Sequence, residues 1–268
     1  MQKKVIDTNQ LRSENLKRYL EASRQNFAVL TDYVAMEAYK GDALVTIMRS
    51  MKIVSEHPGQ VIVLKGTRAV SLLSGRAAGL QSRMVDEHQT RGFATFARLL
   101  TVAQRGDLRI QRQILDNGKA ASAHMENMLA TAGEITAVIA PLVKNFSAEN
   151  RAEIRNWRIT SPELINTIIS AVIEISAEVY RLLPYPIKLP TFNELPNTLV
   201  FRAVLCCYLM VIERGAIGGA APVSKVRNDM VDMYIAAYAT FFDGVLSEDA
   251  KLTRIHYLAR MILKELFQ

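Results

Sequence analysis

Cysteine is nearly absent from this sequence: there are two in 268 residues, adjacent at Cys206 and Cys207. A vicinal pair makes no useful bridge and no Cys-x-x-Cys spacing occurs, so a disulfide framework and a zinc site are both excluded. The pair sits in an apolar stretch and reads as two small buried hydrophobes in a reducing compartment. Histidine is as sparse, with His57, His88, His124 and His256 scattered without ligand spacing. The lone tryptophan, Trp157, reads as packing. No segment is of low complexity and no internal repeat is found. The longest apolar run, Leu199 to Ile212, contains Arg202 and is too short to span a bilayer. The chain enters an apolar stretch a few residues from Met1, so no signal peptide and no membrane association are expected, and the expected location is the cytoplasm.

What is present is a large apolar fraction and a moderate basic excess. Half of the residues are hydrophobic and the formal charge is +7. The first supplies a proper core; the second suits a polyanionic partner. Short apolar runs that read as strands lie at 3–7, 27–31 and 60–65, and a last one is expected from Phe241 to Leu246. Helices are expected from about Leu11 to Ser23 and from Asp32, as N-cap, to about Ser55, interrupted at Gly41. From Ala69 to Glu178 almost everything has helical period. Helices are read at about 68–78, 80–105, 107–133, 148–157 and 161–182, with Gly106, Gly133 and Pro141 between them. Pro184, Pro186, Pro190 and Pro196 then mark a stiff connection. An almost wholly apolar, central helix follows from about Thr198 to Arg214, then a Gly218-Gly219 loop, a helix from Lys225, and a final helix over 250–266.

Several of these strands end in an acid. Asp7 closes the first, Glu37 lies in the first two turns of the helix after the second, and Asp249 closes the last. Asp229 and Asp232, three apart, share a face of the helix before it. A strand ending in an acid delivers a carboxylate to the carboxyl edge of a sheet, where open α/β sheets place their ligands. Clustered carboxylates stay ionised together only with cations between them, and hard oxygen donors select Mg²⁺ or Mn²⁺.

The pattern resembles the PIN-domain ribonucleases. The residues that carry the likeness are Asp7-Thr8-Asn9 after the first strand, Thr31 with Glu37, Asp232 with Ala236, Ala237 and Ala239, and Ser247 with Asp249. They cover roughly the first 70 and the last 45 residues. The resemblance implies an α/β, PIN-like fold with a central, mostly parallel sheet flanked by helices. Its core would be formed by 1–67 and 198–268, with 68–197 as a long all-helical insertion beyond the family's compact pattern. It implies a metal-dependent phosphodiesterase, most simply an endoribonuclease, with Asp7, Glu37, Asp232 and Asp249 as metal ligands and Asp229 as a competing catalytic acid. Thr8, Asn9 and Ser247 would orient carboxylates. Arg12, Lys225 and Arg227 would meet RNA phosphates, and Lys65, Arg68 and Arg76 would extend that surface. Asp243 is a weaker candidate, and the polar stretch from Arg83 to Gly92 a second candidate surface. Family roles include toxin of a toxin–antitoxin pair, RNA processing and phage defence, often under a protein inhibitor; homo-oligomerisation through the insertion is a further expectation. The rival readings are a structure-specific DNA nuclease, whose usual helix-hairpin-helix is not found, and a non-catalytic protein-binding or regulatory module.

Overall fold

The computed structural model describes residues 1–139, 146–182, 189–217 and 223–267, with side chains described outside 127–139, 215–217 and 223–227. Strands β1 (Gln2–Ile6), β2 (Asn26–Leu30), β3 (Val61–Val63) and β4 (Val245–Leu246) form one sheet in the order β3-β2-β1-β4. Every pairing in it is parallel: Val5 lies opposite both Val29 and Val245, Ile6 opposite Leu246, and Ala28 opposite Val61. Parallel strands need covered faces, which is why these segments are apolar runs rather than alternating ones. Val5, Ile6, Ala28, Val29 and Leu30 are all buried. Parallel pairing also puts the carboxyl ends of all four strands on one edge.

The crossovers are helical. α1 (Glu14–Ala22) joins β1 to β2, preceded by a 3₁₀ turn over Thr8–Arg12. Ser13 caps α1, so the single helix expected from Leu11 is two elements. α2 (Asp32–Glu37) and α3 (Ala43–Glu56) join β2 to β3, with Gly41 at φ +94° between them. Thr31, not Asp32, caps α2: its hydroxyl accepts from the Val34 amide at 3.3 Å. The Asp32 carboxylate instead crosses to the start of α4 (Thr67–Ser71), accepting from the Thr67 amide at 2.6 Å and its hydroxyl at 2.8 Å.

Beyond β3 the path to β4 is helical. α4 is shorter than expected, and the expected helix over 80–105 breaks into α5 (Leu80–Met84) and α6 (Glu87–Gln104). Asp86 causes the break, since its side chain caps α6 through the Gln89 amide. α7 (Leu108–Ile139) runs straight through Gly133, α8 (Ala148–Arg155) and α9 (Pro162–Leu182) follow, and Pro141, Pro184, Pro186 and the Gly218-Gly219 loop lie outside the described residues. α10 (Leu199–Ile217) is buried on almost every side and packs against α8, α9, α11 (Val223–Ala239) and α12 (Ala250–Leu266). Its Cys206 and Cys207 thiols are free and buried, and burial pushes Cys207 up to about 12, so both stay protonated. The strand expected from Phe241 is only two residues long. Residues 241–243 turn off the end of α11, and Gly244 at φ +127° swings the chain into β4.

The helical stretch does not stand apart. Leu100, Ile114, Ile168 and Val172 belong to the same continuous cluster of buried apolar residues as Val5 and Val29. α7 touches α3 at Gly118, where an added Cβ would lie 2.7 Å from the Ala43 Cβ. No described helix is long and apolar enough to cross a membrane. Gly118→Leu is expected to lower unfolding stability in urea by about 1–3 kcal/mol through overpacking. Asp116→Ala, which removes only an exposed pair with Lys119, should change it by less than about 0.5 kcal/mol.

Candidate functional site

The carboxyl edge of the sheet gathers acids from four elements. Asp7 follows β1, the strand between β2 and β4, and is 6% exposed. Glu37 ends α2, Asp232 lies in the middle of α11, and Asp249 follows β4 as the N-cap of α12. Two hydroxyls tie the segments after β1, β2 and β4 together. Thr8 Oγ1 donates to Glu37 Oε2 at 2.6 Å, and Ser247 Oγ donates to Asp7 Oδ2 at 2.5 Å. Ser247 Oγ also accepts from the Asp249 amide at 2.9 Å. One Asp249 oxygen is occupied in capping, accepting from the Lys251 and Leu252 amides at 2.7 and 3.0 Å. Asn9 joins the β1 and β4 loops more loosely, accepting from Gln10 Nε2 at 3.1 Å and the Glu248 amide at 3.5 Å.

The four acids act on one another. Burial raises Asp7 above the usual carboxylate range, the Ser247 and Thr8 hydrogen bonds oppose this, and the charges of Glu37 and Asp249 add to it. Asp232 is pushed up to about 7, first by burial and then by the charges of Asp249, Asp7 and Glu37; Lys251 counteracts only in part. The charges of Glu37 and Asp249 are thus felt at both Asp7 and Asp232. Among the described residues, however, no three His, Cys, Asp or Glu side chains converge closely enough to hold one metal ion. The donors suit a hard divalent cation in kind; their present spacing does not place three of them on a common point.

Asp229 stands differently from Asp232, although both are on α11. Its carboxylate pairs with Arg214 of α10 and accepts from Lys251 Nζ at 2.7 Å, so two cations compensate it. Lys251 and Arg214 were not singled out from the sequence, where nothing distinguishes them from other surface charges.

The remaining candidates are dispersed. Arg12 donates to the buried Ser50 hydroxyl at 3.2 and 2.8 Å, anchoring the first 3₁₀ turn to α3. The side chains of Lys225 and Arg227 lie outside the described residues. Lys65 follows β3 and is half-buried, while Arg68 and Arg76 are exposed. Asp243 accepts from the Lys3 amide at 2.7 Å at the amino end of β1, so it locks strand entry on the opposite edge from the acids. The polar stretch from Arg83 to Gly92 resolves into the Asp86 cap, an exposed Glu87–Arg91 pair, and Thr90 bonded to the Val63 backbone. Trp157 packs beneath the Arg254 guanidinium, 4.8 Å from its ring centroid.

Fold and edge together define an α/β protein with an all-parallel, four-stranded sheet and an acid-lined carboxyl edge. No family model matches the chain, and no curated protein or solved structure matches it significantly.

The raised Asp232 has a consequence for metal-free protein. A carboxyl raised in the folded state favours folding while protonated, so its contribution is full below the ordinary value near 4 and is lost as pH rises through about 7. In EDTA, Asp232→Asn should match the parent's stability at pH 4 and exceed it by on the order of 2 kcal/mol above pH 7. Thermal unfolding across this range measures it; a difference that does not change with pH contradicts the electrostatic account.

Proposed function

We propose that this chain is a metal-dependent phosphodiesterase of PIN-like fold acting on RNA as an endoribonuclease, with 68–197 as its helical insertion. The observation that carries the proposal is the gathering of Asp7, Glu37, Asp232 and Asp249 on the carboxyl edge of a parallel sheet, with a repulsion at Asp7 and Asp232 that Lys251 offsets only in part. Such a set is unfavourable in isolation and becomes favourable when a divalent cation is shared between its members. Mg²⁺ or Mn²⁺ bound there supplies a Lewis acid and an activated water for attack at phosphorus.

The protein's own groups have separate tasks in this reading. Asp7, placed at the end of β1, Glu37, Asp232 and Asp249 are the carboxylates that would hold the cation. Thr8 and Ser247 hold Glu37 and Asp7 in orientation through the bonds described above. Asp229 has a structural task, joining α10 to α12 through Arg214 and Lys251. The reading that keeps the fold without chemistry, a protein-binding module, draws on one observation: the described acids do not converge in threes.

Purified protein incubated with labelled single-stranded RNA and DNA in Mn²⁺ is expected to cleave RNA in preference. Cleavage should vanish in EDTA and in Asp7→Asn, and fall about 10–100-fold in Ser247→Ala. Intact RNA in every reaction overturns the enzyme reading; DNA cut in preference overturns the choice of substrate.

A further inference from the structure

A concavity lies away from the acids. It is a cleft of about 560 Å³ at the far end of α12, lined by Arg202, His256, Tyr257, Arg260, Lys264 and Phe267. Its floor includes Thr240, just after α11, so it opens near the amino edge of the sheet, where Asp243 meets β1. That volume lies within the range of small-molecule sites.

Its charge is one-sided. Arg202 is 6% exposed, yet it has no carboxylate partner among the described residues. Its guanidinium donates to the Pro196 carbonyl at 2.9 Å, the Thr240 carbonyl at 2.8 Å and hydroxyl at 3.2 Å, and Asn197 Oδ1 at 3.2 Å, and it stacks 3.7 Å from the centroid of Phe241. Those contacts fix the group without neutralising it. Burial, and then repulsion from Arg260, pull it down to about 9, so it remains a cation at neutral pH. Arg260 and Lys264 are exposed on the α12 face that lines the cleft, with no described ion pair. A buried cation joined by two more without a counter-charge is costly unless an anion completes it.

Two further features narrow the anion. His256 is 9% exposed and lines the cleft, and its Nε2 is buried without a hydrogen-bond partner. Burial and Arg260 hold it at about 4, so this wall of the cleft adds no charge at neutral pH. Tyr257 and Phe267 line the same cleft and are 62% and 51% exposed, large rings with free faces. Cations beside exposed aromatic rings suit a ligand that joins phosphate to a flat, hydrogen-bonding ring.

We propose that this cleft is a nucleotide-binding site, in which Arg260 and Lys264 take the phosphates beside the buried positive charge of Arg202, and Tyr257 or Phe267 stacks on the base. The site is separate from the acid edge and does not depend on the reading given to that edge.

The test is calorimetric titration of the full chain with ATP, AMP and inorganic phosphate in EDTA, which keeps any metal-bridged binding at the acids out of the measurement. ATP is expected to bind more tightly than AMP, and phosphate to compete with both. Arg260→Gln with Lys264→Gln, both exposed and so harmless to folding, should weaken ATP at least about tenfold. Tyr257→Ala should weaken ATP and leave phosphate unchanged. Asp7→Asn should leave all three unchanged. Failure of ATP and AMP to bind at millimolar concentration overturns the proposal. So does ATP binding that is indifferent to the double variant, phosphate binding no weaker than that of ATP, or displacement of ATP by a single-stranded oligonucleotide at lower concentration.

Discussion

Repulsion among carboxylates held by a rigid frame is the constraint on which this molecule turns. Asp7 cannot move away from Glu37 and Asp249, because β1 is paired on both sides and the loops after β1, β2 and β4 are joined by the Thr8 and Ser247 hydroxyls. Those bonds offset part of the cost by favouring charged Asp7, but burial outweighs them and Asp7 remains raised. The frame therefore stores an electrostatic demand for positive charge on one edge of the sheet. The strand pairing that makes the sheet parallel is what puts all of the acids there.

α11 shows how local that demand is. Asp229 and Asp232 are one turn apart. The first meets Arg214 and Lys251 and is satisfied; the second meets three acids and is not. The same lysine thus neutralises the structural acid by direct contact and only moderates the other from a distance. Arg202 presents the opposite case near the other edge, a buried cation without an acid among the described residues. The two groups, of opposite sign, fall toward opposite edges of the sheet. Between them, the packing of α10 against α8, α9, α11 and α12 fixes both in one continuous core.

The first three strands and the final helix were readable in the sequence because buried parallel strands are short unbroken apolar runs, and Asp249 is a recognisable cap. Phe241 and Phe242 misled because a buried turn after a helix is as apolar as a strand; only Gly244 marked where the strand begins. Asp86 mid-pattern split a helix that periodicity alone ran together. At the acids, order and element type were readable, and so were the neighbours Thr8 and Ser247, because short hydroxyl side chains bond locally. The distinction between Asp229 and Asp232 was not. It depends on Arg214 and Lys251, which lie 15 residues before and 22 after Asp229, and no local pattern brings them together.

The central claim is that the demand at the acid edge is one a divalent cation meets, and that it belongs to Asp232 rather than to Asp229. Mn²⁺ titration by calorimetry at pH 7.5 on the parent, Asp232→Asn and Asp229→Asn tests it most directly. Mn²⁺ bound by the parent, lost in Asp232→Asn and kept in Asp229→Asn is the predicted result. No Mn²⁺ uptake by the parent at millimolar concentration, or equal uptake by the parent and Asp232→Asn, would contradict it.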